Sequence, residues 1–302
     1  MSPEATPEDR FAVVICTRNR PEILQRTLGA LDAQDDRDFD VVVVDGSDAA
    51  DAALARRAAE DPRMQVVGQE RGGLSHARNL GWQAAQAEWV AYLDDDVVPE
   101  PGWAAELRRA LRSHSDVDYV SGHVGAANVP TDDYLLVTTQ EVTRERRLAG
   151  RWTRPWDIGF TLCMAVRRSW LERLGGFDER LGPGVAAFPS AEDMDFNYRF
   201  LLAGGSAYVT PRVRANHEQW RTPGELGPHF RGYMAGWSGF AMKHLRLGNV
   251  TGGLWLWSLG LRDLARMSLS SVRRRSPLRA RVAAYKLAGL VTGTTRGLAR
   301  RW

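Results

Sequence analysis

Three consecutive carboxylates, Asp94, Asp95 and Asp96, follow the apolar run "WVAYL". Adjacent anions repel, and the end of a buried strand is a costly place to keep them unless a positive group collects there. A pair from this triplet can present hard oxygen ligands to Mg²⁺ or Mn²⁺, ions that commonly bind one or two carboxylates together with substrate phosphates. Such an ion would neutralise the charge of a diphosphate leaving group. The triplet alone also reads as a solvated acidic turn before a helix, with Pro99 and Pro101 as punctuation.

Other polar groups occupy equivalent places. Thr17, Arg18 and Asn19 follow the strand-like "FAVVICT", and Asp45 ends "FDVVVVD". In open α/β sheets ligands bind beyond the carboxyl ends of the strands, so these groups, distant in sequence, are expected to converge with the aspartates. Arg78 and Asn79 stand in "ARN", and Glu192 and Asp193 open the helix-like "AEDMDFNYRFLLAGG". Read from their place alone, these two acids are N-terminal helix charges, where the helix dipole favours the ionised form. His217 follows Asp193 by 24 residues.

The elements that must position these residues alternate in type. Strand-like "FAVVICT", a helix begun by Pro21 with Ile23, Leu24, Leu28 and Leu31 on one face, and strand-like "FDVVVVDGS" come first. The helix "DAALARRAAE", the strand "MQVV", the loop "QERGGLS", the helix "HARNLGWQAAQA" and the strand "WVAYL" follow. Unbroken apolar strands alternating with helices predict a mostly parallel open sheet covered on both faces. The second half is less regular: "VDYVSGHVG" and "FTLCMAVRR" read as strands, "AEDMDFNYRFLLAGG" as a helix closed by Gly204 or Gly205, and everything after Thr222 as helical.

Seven segments in order, "VVICTRNRP", "VVVVDGSD", "RGGLSHARNLGW", "WVAYLDDDVVP", "MAVRRSWLERLGGFDERLG", "AEDMDFNYRFLLAGG" and His217, resemble the family-2 glycosyltransferases of GT-A fold over roughly residues 11–221. The resemblance implies an α/β GT-A catalytic domain with a nucleotide-sugar half at about 11–125 and an acceptor half at about 126–221. Residues 1–10 then form a loose tail and residues 222–302 a basic helical appendage. It implies that Thr17, Arg18 and Asn19 contact the nucleotide and that Asp45 hydrogen-bonds the base. A carboxylate accepts the imide N–H of uracil, so a UDP-sugar is the expected donor, and thymine offers the same edge. Arg78 would pair with phosphate. Asp94 and Asp96 occupy the two acid positions of the family's D-x-D motif, with Asp96 first among the metal ligands, then Asp94, with Asp94 and Asp95 also at the nucleotide sugar, and with His217 at the metal or diphosphate. Asp193 would be the general base of an inverting displacement, kept ionised and ready to take a proton by the dipole of the helix it opens, with Glu192 orienting it or contacting the acceptor. Cys163 departs from the pattern, standing where many relatives carry asparagine.

Residue-level alternatives stay open at this stage. Asp45 also suits a helix N-cap, Arg78 a helix salt bridge to Glu70 or Glu88, and His217 a structural role, although His76, His123, His229 and His244 lack a comparable motif. Trp152, Trp156, Trp220 and Trp237 could stack on a sugar ring or fill a core. A retaining sugar transferase, a nucleotidyltransferase, or a catalytically inactive glycan-binding or scaffold protein are the rival functions.

Charge and composition narrow the setting. Residues 262–302 hold eleven Lys or Arg and the single acid Asp263, a charge of +10, while residues 1–261 hold 29 bases and 36 acids, a charge of −7. The basic segment, with "GGLWLWSLGL" before it, suits peripheral contact with an anionic membrane; the competing reading is simple packing with the arginines in water. Without a recognition motif, nucleic acid is not an expected partner. "LWLWSLGL" is far short of the roughly 20 residues that span a bilayer, and "MSPEATPEDR" is not a secretory signal. Two cysteines, Cys16 and Cys163, are too few for a disulfide framework and fit a cytoplasmic enzyme, associated with the inner face of the membrane if the basic segment binds there. The acceptor is expected to be a lipid-linked, cell-envelope or polysaccharide hydroxyl.

Overall fold

A computed structural model of the chain describes residues 9–49, 51–127, 138–218 and 225–302; Trp220 lies outside them. The chain divides into two compact units. The first comprises Met1–Gly72, His76–Phe177 and Phe196–Trp220, and the second Gly73–Ser75, Asp178–Asp195 and Arg221–Trp302.

The first unit is built on one mixed sheet. In chain order its strands are β1 (Phe11–Thr17), β2 (Asp40–Asp45), β3 (Met64–Gly68), β4 (Trp89–Asp94), β5 (Val97–Pro99), β6 (Tyr119–Ala127), β7 (Arg146–Ala149), β8 (Met164–Arg167) and β9 (Ser206–Glu218). They lie side by side in the order β3-β2-β1-β4-β8-β6-β9-β5, with β7 also paired to β9. The β3-β2-β1-β4 half is parallel, and β8 runs antiparallel between β4 and β6. Every residue of β1 is buried, as its unbroken apolar run requires of a strand covered on both faces.

Register brings the candidate residues to one edge. Thr17 lies opposite Asp45 across β1 and β2, and Cys16 opposite Asp94 across β1 and β4. On the far side of the sheet, β5 pairs antiparallel with β9 so that Val97, the residue after Asp96, faces His217. The pairing of β6 with β9 shifts register between Ser121 and His123. Gly122 sits in that irregularity, where a Cβ would collide with the Val213 carbonyl.

Helices follow their sequence signals. α1 (Pro21–Asp32) buries Leu24, Thr27, Leu28 and Leu31, and α2 (Ala52–Glu60) is capped by Asp51, which accepts from the Ala53 and Leu54 amides. α3 (Leu74–Ala84), α4 (Trp103–Ser113) and α5 (Arg168–Leu174) complete the series before α6 (Glu192–Leu202), whose first turn, Glu192–Asp195, belongs to the second unit. Asp9, within the stretch expected to be a tail, is buried and ion-paired with Arg108 and Arg112 of α4.

The second unit is dominated by α7 (Leu226–Arg246), α8 (Val250–Arg273) and α9 (Pro277–Ala299). Gly289, Gly293 and Gly297, four residues apart on α9, press on α7: a methyl at the first would fall on the Arg231 carbonyl, at the second on the Ala235 carbonyl, and at the third on the Met242 side chain. Indole donors tie the helices together, Trp237 to the Leu256 carbonyl at 2.9 Å and Trp257 to the Thr294 hydroxyl at 3.0 Å. No helix among the described residues is long and apolar enough to cross a membrane.

Candidate functional site

The aspartate triplet turns out of β4, with Asp95 and Asp96 forming the turn into β5. Its three carboxylates have different surroundings. Asp94 accepts from Arg78 Nη2 at 3.0 Å. Asp95 is fully buried, accepts from Thr17 Oγ1 at 2.7 Å and is ion-paired with Arg20 Nη2 at 2.8 Å. Thr27 Oγ1 donates to its carbonyl at 2.7 Å, fastening the turn to α1. Asp96, 3% exposed, lies 3.3 Å from Arg20 Nη1 through one oxygen and 3.3 Å from His217 Nε2 through the other.

Burial pushes the Asp95 carboxyl up to about 7, with Asp96 and Asp94 adding to the shift and Arg20 and Thr17 opposing it. For His217, burial pulls the imidazole down, but the hydrogen bond and charge of Asp96 outweigh it and the net shift is upward. His217 Nδ1 stands 2.9 Å from the Thr138 carbonyl, which can only accept, so Nδ1 carries a proton and Nε2 is the nitrogen turned to Asp96. A backbone acceptor that fixes the tautomer in this way is the usual support of a metal-ligating histidine.

Among the described residues no three His, Cys, Asp or Glu side chains are grouped to hold a metal ion. The pair Asp96 and His217 nonetheless fits a hard divalent cation. One carboxylate and one imidazole nitrogen of fixed tautomer stand 3.3 Å apart, near the roughly 3 Å between adjacent ligands of a six-coordinate Mg²⁺ or Mn²⁺. Phosphate and water normally complete such sites.

Beside this cluster a cleft of about 350 Å³ opens at the ends of β1 and β2, lined by Thr17, Asn19, Leu24, Asp45, Ser47 and Leu54 among others. Asn19 adopts φ 55°, a left-handed conformation that asparagine tolerates better than most residues. Its amide donates to Asp48 Oδ2 at 2.7 Å, and Arg18 donates to Asp48 Oδ1 at 2.9 Å. Asp45 accepts from the Ser47 amide at 2.9 Å, while the N-cap of α2 is Asp51.

Arg78 is buried, pairs with Asp94 and stacks over the Phe177 ring at 5.6 Å. Asn79 acts as a latch: its side chain donates to the Phe177 carbonyl at 2.9 Å and accepts the Phe177 amide at 2.8 Å. Cys163 is a core residue whose sulfur accepts from Trp103 Nε1 at 3.4 Å. Burial raises its thiol to about 11 and that of Cys16 to about 12, so neither is a nucleophile.

Glu192 and Asp193 open α6 in the second unit. Ala191 before them has φ 72°, a costly conformation for a residue with a Cβ. Asp193 Oδ1 accepts the Met194 amide at 2.8 Å, and Glu192 is buried beside Gly182, where a Cβ would stand 3.2 Å from it. Two residues on, fully buried Asp195 accepts from Lys243 Nζ at 2.7 Å, and the same ammonium reaches Asp178 Oδ2 at 2.6 Å. Arg180 forks onto Asp178 with two bonds of 2.8 Å. Burial opposes ionisation of Asp178, but Arg180 and Lys243 hold its carboxyl down at about 2.

Thr17, Asp94, Asp95, Asp96 and His217 are thus brought together, and Asn19 and Asp45 line the neighbouring cleft. Arg20, which bridges Asp95 and Asp96, and Asp48, which holds Arg18 and Asn19, were not singled out from sequence. The position of Arg20 one turn after Thr17, at the start of α1, was the available signal.

Residues 12–175, more than half of the chain, match the profile of Glycosyl transferase family 2. The chain belongs to this family. It is 23% identical over 242 residues to a hyaluronan synthase of Pasteurella multocida, covering 69% of this chain and 24% of that protein. It is 28% identical over 243 residues to a validoxylamine A glucosyltransferase of Streptomyces hygroscopicus subsp. jinggangensis, covering 69% of this chain and 56% of the relative. The chain therefore spans about a quarter of the synthase and just over half of the glucosyltransferase. The GT-A fold is shared with solved structures. A mannosyltransferase of Pyrobaculum calidifontis in complex with GDP-Man and Mn²⁺ superposes with TM-score 0.61 at 21% identity, over 94% of this chain and 86% of the other. Residues 1–349 of S. aureus TarS in complex with UDP-GlcNAc give TM-score 0.56 at 15% identity, over 95% and 90%.

Proposed function

We propose that this family-2 member is an inverting glycosyltransferase that moves a sugar from a nucleotide diphosphate to a hydroxyl of a lipid-linked, cell-envelope or polysaccharide acceptor at the cytoplasmic side of a membrane. The observation that carries the reading is the buried pair of Asp96 and His217 beside the cleft lined by Thr17, Asn19 and Asp45. The cleft takes the nucleoside. Asp45 accepts the imide N–H of uracil, and because guanine offers N–H donors to the same carboxylate, uridine and guanosine carriers are the two to compare.

Asp96 and His217 would hold a Mg²⁺ or Mn²⁺ ion, which supplies Lewis-acid neutralisation of the departing diphosphate. Thr17 and Arg20 keep the buried Asp95 in place and so fix the turn that presents Asp96. Arg78 orients Asp94 for the donor. Asp193, ionised in the first turn of α6, accepts the proton of the acceptor hydroxyl, whose oxygen attacks the anomeric carbon as the bond to diphosphate breaks, and configuration inverts.

Thermal-shift titration with UDP, GDP, dTDP and their sugars, with and without Mn²⁺, tests the donor reading, since a ligand of the native state alone raises its melting temperature. A metal-dependent shift with one nucleotide class supports it, and no shift with any of them sinks it. NMR of the product's anomeric configuration tests inversion.

A further inference from the structure

Of the large hydrophobic residues that are exposed, nine lie between Leu247 and Leu298. Five belong to α8: Val250, Leu254, Leu261, Leu269 and Val272, exposed by 51%, 52%, 37%, 51% and 74%. At about 100° per residue, Leu254, Leu261 and Val272 fall within about 20° of one line, with Leu269 about 60° round from Leu254. The opposite face of the helix is taken up in packing, through Gly252, Gly253, Leu256, Leu259 and Gly260. An apolar stripe of about 27 Å therefore runs along the outside of a helix whose inner face is already satisfied.

The flank of the stripe is basic. Arg262, Arg266 and Arg273 are exposed and lie about 80–120° round from Leu254, and Arg274 and Arg275 continue beyond the helix end. The one acid of the segment, Asp263, is paired with Lys286 Nζ at 2.7 Å. We infer that α8 lies flat on an anionic lipid surface, with Leu254, Leu261, Leu269 and Val272 in the acyl boundary and the flanking arginines at the headgroup phosphates. This is a docking surface separate from the sugar chemistry and independent of it. Charge selects the occupant. A second copy pairing through α8 would bring two basic flanks together with no acid to offset them, whereas an anionic bilayer complements both the apolar stripe and the arginines. The helix lies on the membrane instead of crossing it, being too short of apolar residues to span. Trp257 does not take part, its indole being turned inward to Thr294.

Co-flotation of the full chain with vesicles of phosphatidylcholine, with or without phosphatidylglycerol, at low salt tests this. The unaltered chain should bind only the anionic vesicles and be released by high salt. Leu261→Ser with Val272→Ser should lower partitioning at least about tenfold, because each removes apolar carbons from the lipid contact. Arg262→Gln, Arg266→Gln and Arg273→Gln together should lower it roughly a hundredfold, at about fivefold per charge. These positions are exposed, and circular-dichroism melts should coincide with those of the unaltered chain. The inference is overturned by equal binding to neutral vesicles, by serine variants that bind as well as the original, or by a lipid-free dimer, seen in sedimentation equilibrium, that those substitutions dissolve.

Discussion

Replacing Lys243 with methionine should be among the most damaging single changes in the second unit. The ammonium lies 2.6 Å from Asp178 and 2.7 Å from Asp195, and all three side chains are less than a tenth exposed. Methionine fills much the same volume, so the packing of α7 is kept and the electrostatic loss is isolated. Asp178 retains the Arg180 fork and stays compensated. Asp195 loses its ammonium, and the nearest histidine nitrogen, His244 Nε2, stands at 3.5 Å. Breaking a buried pair by removing one partner costs about 3–5 kcal/mol, and the surviving Arg180 contact places this case near the lower end. Adding Asp195→Asn removes the buried charge that has lost its ammonium and should return about 1–2 kcal/mol, so the two substitutions couple strongly. Urea denaturation at neutral pH, with m-values compared, measures both numbers. A cost below about 1 kcal/mol for Lys243→Met, or no recovery in the double variant, would refute the view that this ammonium holds the first turn of α6.

The other predictions concern each half of the chemistry and the pH response. Asp96→Asn should keep the fold but abolish Mn²⁺-dependent binding of the nucleoside diphosphate in calorimetry; unchanged metal dependence would remove Asp96 from the metal site. Asp193→Asn should leave donor affinity nearly intact while turnover falls by roughly 10²-fold or more, and the reverse pattern would make Asp193 a binding residue. Thr17→Val withdraws a hydroxyl donor from buried Asp95 and should cost about 1–3 kcal/mol in denaturant melts. Since the Asp178 carboxyl is held down at about 2, its contribution is complete above its ordinary value near 3.8 and is lost as pH falls toward 2. Acid titration of stability should show this loss, and Lys243→Met should flatten it.

The parallel half of the sheet was readable because its strands are apolar without interruption and its helices carry ordinary punctuation: Pro21 opens α1 and Asp51 caps α2. β9, at thirteen residues, was not read at all. Its sequence "SAYVTPRVRANHE" contains Pro211 and two arginines, which argue against a strand inside a sheet. The register shift opposite Gly122 absorbs that stretch, an accommodation that depends on a neighbouring strand far away in sequence. β5 has three residues and leaves no periodicity to detect. In the site, the convergence of Thr17, Asp45 and Asp94 followed from strand ends alone. The division of labour within the triplet did not, because burial of Asp95 and exposure of Asp94 to Arg78 depend on how the chain turns after β4. Lys243 stands in the last turn of α7, where a basic residue is ordinary, and only its carboxylate partners reveal a buried charge.

The three glycines of α9 that meet α7 constrain how this protein can change over generations. At Gly289, Gly293 and Gly297 even a methyl would strike backbone or side chain of the facing helix, so an alanine at any one of them forces rods of 23 and 21 residues apart along their shared length. Relief cannot come from a neighbouring side chain shrinking, because at Gly289 and Gly293 the obstacle is a carbonyl, which no substitution removes. Drift on that seam is therefore blocked in single steps, while the outer faces of the same helices remain open to almost any exchange. Variation in this part of the molecule is channelled outward, toward whatever surface it touches.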